Sequence, residues 1–280
     1  MKHLRVFWVL IIISTLCGCN GILTHAAIVD TVAVQSIVME KTIKNVVIYP
    51  DTNKTKHYPV LYLLHGHGGN YSSWIKRVPL LKEIADKYKM ILVCPDGAFS
   101  SWYVDSPVDS TMQYETYVSK ELTGYIDQHY NTIKSNNARA ITGFSMGGFG
   151  AMFLALRHPD IFGACGSMSG ALNLTYLKTR FDVSKRLGDT IKNANYYKDW
   201  SIISLLEKNP QIRMPMIIDC GREDFIYGMS KEVNEKMKAL KIPHDYTERP
   251  GSHDWKYWSN SVQYEALFFS NFFEENNRKQ

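Results

Sequence analysis

Gly143-Phe144-Ser145-Met146-Gly147-Gly148 lies between two stretches of different character. Before it, Ala138-Arg139-Ala140-Ile141-Thr142 is short and β-branched enough for a strand. After it, residues 149–158 read as a buried helix with a basic end, Arg157-His158. Strand, Gly-x-Ser-x-Gly, helix is the arrangement of a nucleophile elbow, a sharp turn that lifts a serine hydroxyl above the edge of a sheet. Such a turn needs small neighbours, because side chains at Gly143 and Gly147 would collide with the adjoining strand and helix. It also aims the Met146 backbone N–H, at the helix start, toward the place where an oxyanion would form. Alone, the pattern is common by chance and fits a turn built only for tight packing. Its position between a strand and a helix, and the residues found on either side, favour the chemical reading.

Upstream, Tyr58-Pro59-Val60-Leu61-Tyr62-Leu63-Leu64 is a nearly continuous apolar strand of the sort buried on both faces. It runs into His65-Gly66-His67-Gly68-Gly69-Asn70, whose glycines allow a ligand to approach the backbone and whose His67 N–H is the expected second oxyanion donor. Residues 74–88 read as a helix, 90–94 as a buried strand ending at Pro95-Asp96-Gly97, and 112–129 as a long helix. The loop between them is rich in aromatics, with Trp102-Tyr103 as candidates to flank an aromatic acyl group. Nearer the start, 32–39 and 43–49 read as an antiparallel hairpin, followed by a polar turn Asp51-Thr52-Asn53-Lys54.

Downstream, 161–170 is a strand of small residues, which lets it pack close to the serine's strand. Residues 171–200 lack clean periodicity and read as an insertion, either a partial lid over the sheet edge or an excursion that never meets substrate. A strand at 214–221 exits through Arg222-Glu223-Asp224-Phe225. A helix follows at 229–240, then a last strand at 244–249 exiting through Pro250-Gly251-Ser252-His253-Asp254-Trp255, and a closing amphipathic helix at 262–273. Strands alternating with helices predict an α/β domain over 20–280, a mostly parallel central sheet with helices on both faces and the hairpin at its N-terminal edge. Such a sheet carries its site at the strands' C-terminal ends, where Ser145, Asp224 and His253 all fall.

A serine hydroxyl is a poor nucleophile until a base takes its proton, and the base needs a third group to fix its tautomer. His253 is the preferred base. His129 and His158 end helices, where the dipole explains them. Asp224 is the preferred acid, with Asp219 inside the strand and Glu223 next door as alternatives.

The composition excludes other classes. An apolar share of 45% in 280 residues supplies an ample core. The net charge of +5 falls to +3, 30 basic against 27 acidic residues, once Lys2 and Arg5 are set aside with a removable leader. That is too mild, and too evenly spread, for nucleic acid. Lys2, His3 and Arg5 precede an apolar run at 6–16, the pattern of an export signal over 1–19. Leu16-Cys17-Gly18-Cys19 resembles a bacterial lipoprotein signal, which would leave Cys19 lipidated as the membrane attachment, with ordinary cleavage further on or an internal membrane anchor as the alternatives. All three place the catalytic part outside the cytoplasm, periplasmic, at the outer membrane or secreted. Cys94, Cys165 and Cys220 sit in apolar strand-like runs and read as buried free thiols. No metal-ligand spacing or phosphate loop is present, and His65 and His67 lack a third ligand nearby.

As a set, Tyr62-Leu63-Leu64-His65-Gly66-His67-Gly68-Gly69, Pro95-Asp96-Gly97, Ser101-Trp102-Tyr103, Gly143-Phe144-Ser145-Met146-Gly147-Gly148, Cys220-Gly221-Arg222-Glu223-Asp224 and Gly251-Ser252-His253-Asp254-Trp255 resemble the esterase D / feruloyl esterase group of α/β-hydrolases. This carbohydrate-esterase family also contains acetyl-xylan esterases. The resemblance runs from about residue 35 onward. It implies the α/β-hydrolase fold, a Ser145–His253–Asp224 triad, oxyanion donors at Met146 and His67, no cofactor, and an ester substrate, carbohydrate-linked or small and aromatic. The first expectation is a secreted feruloyl esterase acting on plant cell-wall carbohydrate. The alternatives are an acetyl-xylan esterase, a siderophore ester hydrolase, an acyltransferase, or a carbohydrate-binding lipoprotein that kept the fold without the chemistry.

Overall fold

The computed structural model describes residues 27–50 and 55–278. The export signal, Cys19 and the turn expected at 51–54 lie outside the described residues. The chain opens with β1 (Ile28–Ser36) and β2 (Lys41–Tyr49), paired antiparallel as the hairpin reading predicts, with β1 starting four residues earlier than expected. Then come β3 (Val60–Leu64), α1 (Ser73–Arg77), α2 (Leu81–Tyr88) and β4 (Ile91–Pro95). The single helix expected over 74–88 is therefore two. Pro79 disfavours a helical residue before it, and Val78 indeed leaves the helix at φ −129° and ψ 74°.

The long helix expected at 112–129 is present with a change of winding: α3 (Tyr114–Thr116), a π-helical stretch at Tyr117–Leu122, and α4 (Thr123–His129). β5 (Arg139–Gly143) leads through the elbow into α5 (Met146–Arg157), and β6 (Ala164–Met168) follows. The insertion carries α6 (Val183–Leu187) and α7 (Ala194–Asp199), and α8 (Ile202–Lys208) returns the chain to the core. β7 (Met216–Gly221), α9 (Tyr227–Ala239), β8 (Asp245–Arg249) and α10 (Trp255–Arg278) complete the fold. The closing helix begins seven residues before its expected start at 262.

One eight-stranded sheet results, in the order β1-β2-β4-β3-β5-β6-β7-β8. β1 and β2 run antiparallel, β2 meets β4 antiparallel, and the strands from β4 to β8 are parallel. Every residue of β3 and β5 is buried, and their side chains alternate between two cores. Tyr62, Leu64 and Ile141 point to the core that holds α5, α8 and α9; Leu61, Leu63 and Ala140 point to the one that holds α2 and α10. Burial on both faces is why these strands read as unbroken apolar runs. Cys94 in β4, Cys165 in β6 and Cys220 in β7 are free and buried, and burial pushes the Cys220 thiol up to about 12.

Candidate active site

Ser145 joins β5 to α5 at φ 56° and ψ −118°, a conformation a serine adopts at a cost on the order of 1–3 kcal/mol. Two neighbouring strands hold it there. The Phe144 N–H donates to Leu64 O (3.3 Å), the Ser145 N–H donates to Met168 O (3.0 Å), and the Gly147 N–H closes the turn on Phe144 O (2.8 Å). The glycines are needed for the reason the sequence suggests. A Cβ on Gly143 would lie 2.6 Å from Leu64 O and 2.7 Å from the Gly147 carbonyl carbon, and one on Gly147 would lie 2.5 Å from Leu64 O. All of these are backbone atoms with no room to yield.

The exits of β7 and β8 are tied to each other. The Arg222 N–H donates to Arg249 O (2.9 Å), the Glu223 N–H donates to Gly251 O (3.1 Å), and the Gly251 N–H donates back to the Glu223 carboxylate. This brings Asp224 and His253 face to face. His253 Nδ1 lies 2.8 Å from Asp224 Oδ2 and 3.0 Å from Oδ1, and its Nε2 lies 2.9 Å from Ser145 Oγ. The Asp224 side chain is wholly buried, and Oδ1 also accepts the Ile226 N–H (3.0 Å). A carboxylate can only accept, so it selects the tautomer with the proton on Nδ1 and leaves the Nε2 lone pair facing the serine hydroxyl. Phe225 and Trp258 pack against the imidazole, with ring centroids 4.7 and 4.9 Å away.

The alternative acids are engaged elsewhere. Asp219 receives the Tyr257 hydroxyl and the Arg249 guanidinium; its burial raises the carboxyl's pKa, against the lowering effect of those two partners. Glu223 serves the exit turn. His158 pairs with Glu115 (2.8 Å), and His129 donates to Tyr125 O (2.8 Å).

The loop after β3 forms the other side of the site. His65 is buried and bridges two strand exits: its Nδ1–H donates to Gly66 O and its Nε2 accepts the Gly97 N–H, both at 2.8 Å. Burial holds this imidazole below its ordinary range. Gly68, at φ 76°, donates to Phe99 O (2.7 Å) and so fixes the loop. The His67 N–H has no protein acceptor among the described residues. Met146 is the first residue of α5, and the N–H groups of a first helical turn have no intrahelical acceptor. The His67 ring sits edge-on to Phe99 (4.7 Å) and Phe181 (5.6 Å), with Nε2 3.6 Å from the Asp182 carboxylate.

A cavity of about 780 Å³ opens over Ser145 and His253. Its apolar lining includes Trp102, Leu177, Phe181, Phe225 and Trp258. Of the two aromatics singled out in the sequence, Trp102 lines the cavity; its indole N–H donates to Phe181 O (2.9 Å). Tyr103 does not. Both residues have left-handed φ, near 55°, and the turn they make sends Tyr103 into the core, where its hydroxyl donates to His65 O (3.0 Å). Leu177 and Phe181 come from the 171–200 insertion, which therefore does border the site. Phe225, 58% exposed, escaped the sequence reading although it directly follows Asp224. Among the described residues, no group of three His, Cys, Asp or Glu side chains could hold a metal ion.

Comparison with known proteins follows the same lines. A solved ferulic acid esterase superposes with a TM-score of 0.75 at 26% identity, covering 89% of this chain and 99% of that one. The "Endo-1,4-beta-xylanase/feruloyl esterase" of Xylanibacter ruminicola is 36% identical over 218 residues, 75% of this chain and 26% of that protein. The "Acetyl esterase" of Caldicellulosiruptor saccharolyticus is 26% identical over 223 residues, 74% of this chain and 82% of that protein. The chain spans about half the length (51%) of the Mycobacterium tuberculosis esterases it also matches. The esterase family model matches residues 36–269, a span that takes in both oxyanion candidates as well as Ser145, Asp224 and His253: this chain belongs to the esterase family.

Proposed function

We propose that this protein is a serine carboxylic-ester hydrolase that cleaves feruloyl esters of plant cell-wall carbohydrate. The observation that carries the reading is the unbroken hydrogen-bonded line from Ser145 Oγ through His253 to Asp224, at the floor of an aromatic-lined cavity. In this mechanism His253 Nε2 takes the hydroxyl proton as Ser145 Oγ attacks the ester carbonyl. Asp224 holds the imidazole and stabilises the imidazolium that forms. The His67 and Met146 N–H groups receive the oxyanion, each contributing about 3–4 kcal/mol to the barrier reduction if it resembles other such donors. His253 then protonates the departing alcohol, leaving an acyl-enzyme, and water activated by the same imidazole releases the acid.

Trp102, Phe181 and Phe225 support an aromatic acyl group, since they offer ring surfaces in the cavity that opens over Ser145. The xylanase/feruloyl esterase relative supports the same substrate. An acetyl ester is the second reading, favoured by the acetyl esterase of which this chain covers 82%. Action outside the cytoplasm is part of the proposal: a wall polymer cannot enter a cell, and Lys2, Arg5 and the apolar run at 6–16 have the character of an export signal.

The test is a panel of methyl ferulate, acetylated xylan and p-nitrophenyl acetate on the purified protein. Turnover of methyl ferulate, abolished in Ser145→Ala, is the expected result. Cleavage of acetyl esters alone would reject the feruloyl substrate, and full activity in Ser145→Ala would reject the nucleophile.

A further inference from the structure

The cavity over Ser145 is not electrically neutral. Lys76 and Arg77, at the end of α1, and Arg180, in the insertion, all line it. All three are exposed, and none pairs with a carboxylate among the described residues. Asp254 is the acidic side chain in the lining, and its Oδ1 is committed to the Tyr257 N–H (2.9 Å) in the first turn of α10, where the helix itself favours a negative charge. Exposed cations on a rim are ordinarily just solvated. Here three of them, against one engaged carboxylate, converge on an enclosure with apolar walls, which focuses their field.

Arg180 is also oriented. Its guanidinium carbon stands 5.1 Å from the Phe181 ring centroid and 6.0 Å from that of Phe225. Phe225 in turn lies 4.7 Å from His253. Cation–π contact of this kind holds a guanidinium while leaving N–H groups free to donate. Phe181 in turn lies 5.6 Å from His67, so the cation is linked through one ring to His253 and through the other to His67. The acyl groups of the two readings above, feruloyl and acetyl, carry no carboxylate, so an anion that meets Arg180 belongs to the alcohol part.

We propose that the cavity is built for an ester whose alcohol part carries a carboxylate, with Arg180 as its main contact and Lys76 and Arg77 adding to the field. For a carbohydrate ester, the matching chemistry is an acidic sugar, a uronate, near the acylated hydroxyl. This deepens the hydrolase reading above and rests on it.

Two esters of the acyl group favoured in the panel provide the test, one of 5-hydroxypentanoate and one of 5-hydroxypentanamide. They differ in charge and scarcely in shape. At low salt the carboxylate ester should show kcat/KM roughly ten- to hundredfold above its amide twin, the range of a hydrogen bond to a charged group, and the difference should appear in KM. In 1 M NaCl, where the screening length is about 3 Å, the ratio should shrink toward one. It should also approach one in Lys76→Gln/Arg77→Gln/Arg180→Gln, read as a ratio so that any general loss of activity cancels. A ratio of one or less in the wild-type protein at low salt would overturn the proposal, as would a ratio that survives the triple substitution. The salt measurement needs no variant. Equal cleavage of the two esters defeats the anionic subsite alone, whereas cleavage of neither defeats the hydrolase reading with it.

Discussion

Replacing Asp224 by Asn tests the relay at its most buried point. The two side chains have nearly the same shape, so the fold should survive. The hydrogen bonds cannot all survive. Asp224 Oδ1 accepts the Ile226 N–H at 3.0 Å while both carboxylate oxygens face His253 Nδ1. An amide that keeps its oxygen on Ile226 turns its NH2 toward the imidazole. It then selects the tautomer with the proton on Nε2, which cannot accept from Ser145. An amide flipped the other way strands the buried Ile226 N–H against a second donor, at a cost of about 1–3 kcal/mol, or about 5- to 150-fold in the competent population. Either way the negative charge behind the imidazolium is lost. Valued as a charge-assisted hydrogen bond at about 1.5–3 kcal/mol, that removes about another 10- to 150-fold. The expected drop in kcat/KM is therefore about 10²- to 10⁴-fold, measured with the best ester of the panel. Thermal unfolding should show the variant still folded, and Glu223→Gln, at an exposed neighbour, should change kcat/KM far less. A folded Asp224→Asn protein within tenfold of wild type would refute the reasoning.

Gly147→Ala should cost more than the 1–3 kcal/mol of ordinary overpacking, because the new methyl meets Leu64 O and His65 O at 2.5 and 2.6 Å; urea unfolding would reveal it, and an unchanged midpoint would contradict the close approach. Glu265 is wholly buried beneath β5 and β6, accepting from Thr142 Oγ1, and burial lifts its carboxyl well above the ordinary 4.5. Its folded pKa is thus above its unfolded one, so its contribution is complete below about 4.5 and is lost as pH rises toward the folded value; Glu265→Gln should flatten that decline, and parallel stability–pH curves for the two proteins would show the carboxyl to be irrelevant. Tyr103→Phe should lower the melting temperature, through loss of the bond to His65 O, with kcat/KM on methyl ferulate kept, whereas Phe225→Ala should lower that kcat/KM several-fold; the reverse pattern would place the aromatic contact at Tyr103 after all.

The architecture was legible wherever one force dominated. β3 and β5 are buried on both faces, so their apolar runs announced strands, and Gly143 and Gly147 marked the turn because no other residue fits beside Leu64 O. Asp224 and His253 were recognisable from their places just past β7 and β8, since a parallel sheet gathers its strand exits at one edge. What stayed hidden depended on competition or direction. Pro79 argued locally for a break, but the apolar pattern on both sides suggested continuity. The π-helical winding at Tyr117–Leu122 leaves no mark that periodicity can detect. α10 starts at Trp255 because Asp254 caps it, a signal weaker than the amphipathic stretch further on. Trp102 and Tyr103 are chemically alike in sequence, and only the left-handed turn between them decides which ring faces the cavity.

The insertion that walls the cavity is fastened at several points, one of them the loop at 102–109. Trp102 holds Phe181 O, Ser106 Oγ donates to Arg186 O, and Arg186 pairs with Asp109 (2.6 Å). The Ala171 N–H donates to Ser145 O (3.2 Å), Tyr176 Oη donates to Glu232 on α9 (2.7 Å), and Leu172, Leu174, Val183, Leu187 and Tyr197 are buried in the core that holds α5. A panel pinned along several rails cannot be lifted off whole. Selectivity is therefore retuned at the side chains that face the cavity, Leu177 and Phe181, while the backbone at Ala171 stays bound to the residue that carries the nucleophile.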